Sequence, residues 1–200
     1  MIFKFAFVVG CLFLVLITYK ICVSKRDWAW LVGGLTFTVI ADYFLVLHDA
    51  HMPGVAVFSF VHVCYILRGL DVIRPVKLLN IVYLFSFVIS MIFVSYYFDS
   101  IIILAVLYAC LFIISIVINM WAFSKNDNTH LPKRNHALVL VGIILFALCD
   151  INVLLFNLPR FVYGFDFGIS NIAFALIWVF YLPSQLLLSV SGITLPKAKE

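Results

Sequence analysis

Seven long apolar runs, separated by short polar stretches, make up almost the whole chain. They fall near residues 1–19, 28–48, 52–69, 76–98, 101–123, 136–157 and 168–190. A bilayer core about 30 Å thick is crossed by about 20 apolar residues in a helix, so each run reads as a transmembrane helix. None of them alternates apolar and polar residues over ten-residue segments, the pattern of a membrane β-barrel. The first run has no small-residue cleavage site before Lys20 and leads straight into further spans, so it reads as a retained helix rather than a signal peptide. Pro53 and Gly54 open the third run, a composition suited to a helix start. The predicted fold is an all-α, polytopic transmembrane helix bundle, one domain spanning residues 1–200.

Composition agrees with this reading. The chain is 66% hydrophobic and 11% charged, against about 25% charged in a soluble domain. The longest polar stretch, KNDNTHLPKRNH at 125–136, leaves no room for an appended soluble catalytic domain. The net charge of +4 comes from clusters between the apolar runs. It is read as a topology signal and not as a nucleic-acid surface. Lys20, Lys25 and Arg26, then Arg68, Arg74 and Lys77, then Lys125, Lys133 and Arg134, and finally Lys197 and Lys199 all fall on one side of a seven-span chain. Only Lys4 and Arg160 fall on the other. The positive-inside rule then places the N-terminus outside and the C-terminus in the cytoplasm, with the cell (cytoplasmic) membrane as the expected location. A miscount of one span would destroy the alternation. Five scattered cysteines, with no CxxC pair, read as small packing residues in helices.

Candidate chemistry lies in the few polar residues at membrane depth, where ionisable groups are expensive and mark function. Asp42 in the second span and Asp150 in the sixth are about 9 Å and about 10 Å below one membrane boundary, at 1.5 Å per helical residue. His62 in the third span is about 15 Å down from the same side. Gln185 is the comparable uncharged case. His62 and Tyr65 share a helix face at i,i+3, and Trp178, Tyr181, Gln185 and Ser189 form a stripe at steps of three, four and four. Such stripes face the bundle interior, because lipid offers no hydrogen-bond partner. Each residue alone has a plainer reading: His62 as a helix–helix hydrogen-bonding residue, Tyr65, Tyr181 and Trp178 as packing or interface aromatics, Arg160 as an interfacial anchor. Two aspartates at matched depth beside a histidine point further, to a functional site. The loop HDAH (48–51) with Asp42 and His62 raises a zinc option, but the later helices lack the histidine-rich pattern of membrane ceramidase-like hydrolases. The seventh span has no lysine for a retinal Schiff base, and the chain is too short for an ordinary G-protein-coupled receptor.

Four segments resemble the YhhN/lysoplasmalogenase family of multi-pass membrane proteins. FTVIAD, Phe37 to Asp42, is similar to the family's F-S-x-x-G-D. FSFVHVCY, with Phe58, His62 and Tyr65 in register, is similar to F-x-x-x-H-x-x-Y. GIILFALCD, with Gly142, Phe146 and Asp150 in register, is similar to G-x-x-x-F-x-x-S-D. YLPSQ, Tyr181 to Gln185, is similar to a Y-x-x-x-Q ending. Ala41 and Cys149 depart from the family's glycine and serine, and Lys4-Phe5 stands where the family carries Lys-Pro. The family is usually drawn with eight spans. Matching Lys4 to that element implies that the family's first helix is missing here, which agrees with an N-terminus outside.

The resemblance implies hydrolysis of the vinyl ether bond of a lysoplasmalogen to a fatty aldehyde and glycerophospho-ethanolamine or -choline. Such hydrolysis starts with protonation of an alkene carbon, and it needs an acid that holds its proton near neutral pH. Asp42 and Asp150 are expected to divide the acid and base roles, with His62 orienting or shuttling a proton. Tyr65, Tyr181, Gln185 and Arg160 are expected to bind the lysophospholipid substrate, Arg160 at its phosphate. No metal and no other cofactor is called for. Membrane lipid is the expected surrounding partner, nucleic acid is not, and a homo-oligomer is left open. The rival class is a small-molecule or lipid transporter or binding protein without hydrolase activity. Polar midspan residues, Pro183 and a weak parallel repeat between 28–69 and 136–190 fit that class as well.

Overall fold

The computed structural model describes residues 2–74, 76–125, 131–157 and 169–194. The seven apolar runs are seven helices: α1 (Ile2–Ile17), α2 (Lys25–Asp42), α3 (His51–Ile73), α4 (Leu78–Tyr97), α5 (Ile101–Ser124), α6 (Lys133–Asn157) and α7 (Ile169–Val190). All seven helical segments are long and apolar enough to cross a membrane, and the chain is an integral multi-pass membrane protein. Among the described residues, the β-pairing is a single bridge between Cys22 and Ile193. Two short turns extend the first two helices. A 3-10 turn, Thr18–Ile21, follows α1, and a wider π turn, Tyr43–Leu47, follows α2 directly after Asp42.

Helix α3 is the axis of the bundle. Fifteen of its 23 residues are buried, and it packs against both α2 and α5, while α6 pairs with α7. By contrast, α4 buries only Val88 and Ser95 and turns Tyr83, Phe87 and Phe93 outward, as a lipid-facing helix does. The α6–α7 pair is close because Gly142 has no side chain. A methyl group there would lie 2.8 Å from Leu188 Cγ, and the Gly142 carbonyl is free to accept the Ser184 hydroxyl at 2.8 Å. Small residues at such contacts let helix backbones approach. Pro183, inside α7, supplies no N–H to the turn before it, and neighbouring helices are what make such a break tolerable in a bilayer.

The polar residues at the end of the bundle opposite the 48–50 loop correct one part of the sequence reading. The third span does not stop at residue 69 but runs to Ile73, and α2 starts at Lys25 rather than 28. Arg68 and Arg26, counted above as flanking topology charges, therefore lie on helices. Arg68 is buried and makes a bidentate pair with Asp27, Nε to Oδ1 at 2.7 Å and Nη2 to Oδ2 at 2.8 Å. Its Nη1 also donates to Ser191 Oγ at 3.0 Å. Arg26 pairs with buried Asp71 at 2.9 Å. Asp71 Oδ1 accepts the Val76 backbone N–H at 3.1 Å. Asn135 donates to the carbonyls of Ser191 and Ile193 at 2.9 and 2.7 Å. These bonds lock α2, α3, α6 and the turn after α7 together.

Arg68→Met strands the Asp27 carboxylate inside the bundle. Removing one member of a buried pair costs about 3–5 kcal/mol, so the melting temperature in detergent is expected to fall sharply. The double variant Arg68→Met/Asp27→Leu is expected to recover at least half of that fall. An unchanged melting temperature in the single variant would contradict the role given to the pair.

Candidate functional site

At the loop 48–50 end of the bundle, the C-terminal ends of α2 and α6 meet the N-terminal parts of α3 and α7. The helices splay there around a cavity of about 530 Å³, within the range of small-molecule sites. Its wall is mainly apolar and aromatic, with Phe58, Phe146, Phe174 and Trp178 contributing rings. Two of its polar groups are the carboxyls of Asp42 and Asp150. The matched depths expected from the sequence thus become one shared wall.

Each carboxyl has its own phenol. Tyr181 Oη donates to Asp42 Oδ2 at 2.7 Å, across from α7 to α2. Tyr108 Oη donates to Asp150 Oδ2, across from α5 to α6. The two pairs are separate: no carboxyl–carboxyl hydrogen bond joins them among the described residues. Tyr181 sits in the aromatic core with Phe146, ring centroids 5.8 Å apart, and Trp178, 5.9 Å apart. These packed rings hold its hydroxyl in place. The arrangement offers two oriented carboxyls with fixed donors, in a cavity able to take an apolar chain.

The π turn shapes one side of this cavity. Leu45, Val46 and Leu47 line it, immediately after Asp42. Such turns insert an extra residue in a helix and recur at functional sites. The turn is held by the Ala50 N–H, which donates to the Phe44 carbonyl at 2.9 Å. Gly54 makes room for it, since a methyl group there would lie 2.4 Å from Leu45 Cγ. Asp49 closes the loop in a left-handed conformation with φ of 50°, which Asp tolerates better than most residues.

The remaining sequence-predicted residues fall around this centre. His62 is fully buried behind the cavity wall. Its ring stacks on Phe112 with centroids 4.3 Å apart and meets Tyr108 edge-on at 5.0 Å, and neither ring nitrogen has a hydrogen-bond partner. Tyr65 and Gln185 are buried deeper, outside the cavity lining, and neither the Tyr65 hydroxyl nor either amide atom of Gln185 has a partner. Arg160 lies outside the described residues. Of the residues in the zinc option, His51 lines the cavity and pairs with Asp49 at 3.4 Å. His48 packs against Tyr43 at a tilt, with centroids 4.5 Å apart. Among the described residues no three His, Cys, Asp or Glu side chains are grouped to hold a metal.

Two residues were missed from the sequence. Tyr108 lies in the most apolar helix and matches none of the quoted motifs. Its signal is spacing alone: Tyr108, Phe112, Ser115 and Asn119 follow at steps of four, three and four along one face of α5. Lys4 was read only as a topology and motif residue, yet its Nζ lies 3.6 Å from the centre of the Trp178 ring.

The cavity makes a chemical prediction. Dicyclohexylcarbodiimide, an apolar reagent for carboxyl groups in membranes, is expected to label Asp42 or Asp150 in the folded chain. Asp27, clamped by Arg68, is expected to stay unlabelled in peptide mass spectra. Equal labelling of Asp27 would contradict the cavity as drawn.

The model of the YhhN family matches residues 1–192. No curated protein and no solved structure matches the chain.

Proposed function

From the premise that the chain belongs to the YhhN family, we propose that it is an intramembrane hydrolase of the vinyl ether bond of lysoplasmalogens. The observation that carries this reading is the pair of carboxyls, Asp42 and Asp150, each with a phenol donor, on the wall of one largely apolar cavity. A single-chain ether lipid has the matching shape: an apolar chain for the rings and one reactive bond for the carboxyls.

One carboxyl gives its proton to the alkene carbon farther from the ether oxygen, leaving an oxocarbenium ion shared between the other carbon and the oxygen. The second carboxyl, as carboxylate, stabilises that cation and takes a proton from the attacking water. The C–O bond forms, giving a hemiacetal, which then breaks to the aldehyde and the glycerol hydroxyl of the released headgroup. Water is the only co-reactant, and the protons balance between the two carboxyls. Two carboxyls in different surroundings divide acid and base work in this way in other hydrolases.

Tyr181 and Tyr108 orient the carboxyls through their hydrogen bonds. His62 touches neither the cavity nor a carboxyl, so its role is positional: it packs edge-on against Tyr108. Tyr65 and Gln185 support the same helices from deeper in the bundle.

General acid or base catalysis contributes roughly 10²–10⁴-fold. Asp42→Asn and Asp150→Asn are therefore each expected to lower aldehyde release from a lysoplasmalogen at least about 100-fold, with expression and melting temperature retained. Tyr108→Phe and Tyr181→Phe are expected to give smaller losses. The assay uses purified protein in detergent, with no sealed vesicle and no gradient, which a transporter would require. Turnover like that of the unmodified chain in either Asn variant would remove that aspartate from the mechanism.

A further inference from the structure

The cavity has a cation at its rim that the hydrolytic chemistry does not use. Lys4 lies near the start of α1, and its ammonium sits 3.6 Å from the centroid of the Trp178 ring and 5.2 Å from that of Phe174. Both rings line the cavity. A cation in an apolar helix seeks a partner, and two aromatic faces attract it. Among the described residues, however, no carboxylate pairs with it. The Trp178 ring turns its face to this ammonium, while its own Nε1 is buried and closed off from the cavity. Every other described Lys and Arg lies at the opposite end of the bundle. The remaining basic group on the cavity wall, His51, faces Asp49. Asp42, Asp49 and Asp150 all line the same space, so among the described residues Lys4 is the cation that an anion entering it would meet away from a carboxylate.

We propose that Lys4, held over the Trp178 ring at the cavity rim, seats the phosphate of the bound lipid, so that the cavity selects phosphate-headed, single-chain amphiphiles over neutral ones. A phosphodiester has two free oxygens, and the ammonium donates to either of them. The apolar chain then occupies the ring-lined part of the cavity. The lipid nature of the ligand rests on the hydrolase reading; the phosphate seat rests on the Lys4 ammonium at the rim, which no described carboxylate pairs with.

The test is a binding measurement on the whole chain in nanodiscs, read apart from turnover. The probes are a non-hydrolysable 1-O-alkyl lysophosphocholine, the matching 1-O-alkylglycerol, and chain-free glycerophosphocholine. The unmodified protein is expected to bind the phosphate-bearing lipid at least ten-fold more tightly than the alkylglycerol. Lys4→Met is expected to lose that preference, while Lys4→Arg keeps most of it and Trp178→Phe keeps part. Preference retained in Lys4→Met, or absent from the unmodified chain, overturns the proposal. Equally tight binding of chain-free glycerophosphocholine overturns the amphiphile. Lys4-dependent binding without aldehyde release from a lysoplasmalogen would instead sink the hydrolase reading and leave the phosphate seat standing.

Discussion

Hydrocarbon offers no partner to a polar group, and the pairing of Arg68 with Asp27 is how this fold meets that constraint at its basic end. A buried guanidinium is tolerable only when its donors are used, and here three are: two on Asp27 and one on Ser191. This ties α3, the central helix, to α2 and to the turn after α7. Arg26 with Asp71, and Asn135 with two carbonyls of that turn, complete the clamp. With that end fixed, the opposite end is free to splay around a cavity. The rigid half positions the half that holds the cavity.

At the open end the same constraint takes another form. Among the described residues Asp42 and Asp150 have no arginine partner; each has one tyrosine hydroxyl instead. A phenol donor orients a carboxyl without fixing its charge, which suits the proton transfer proposed for these two groups. The two aspartate-bearing helices, α2 and α6, each pack against the helix that follows, α3 and α7. The weak parallel repeat in the sequence is therefore echoed in the packing, and it delivers the two carboxyls to one wall from two sides. The π turn after Asp42 then widens the wall where the chain leaves the helix.

The spans, their number and the two aspartates were legible in the sequence because hydropathy and charge rarity are strong signals in a membrane chain. Tyr181 was legible as part of a polar stripe. Gln185, on the same stripe, is one turn deeper, about 6 Å along the helix; a shared face does not mean a shared cavity. Tyr65 and His62 fell the same way, on the right helix but behind the wall. Arg68 and Asp27 were hidden because charges close to the end of an apolar run look the same whether they lie in a loop or on a helix that continues. Tyr108 was hidden because its helix is apolar almost throughout, and its partner lies 42 residues away. Tertiary pairing of this kind leaves no local trace.

The central chemical claim is protonation of carbon by a carboxyl, and solvent isotope labelling tests it directly. A lysoplasmalogen turned over in D₂O by the purified chain should give an aldehyde with one deuterium on the carbon next to the carbonyl, as resolved by mass spectrometry after trapping. Aldehyde carrying no deuterium at that carbon, or no aldehyde from well-folded protein, would contradict the two-carboxyl mechanism.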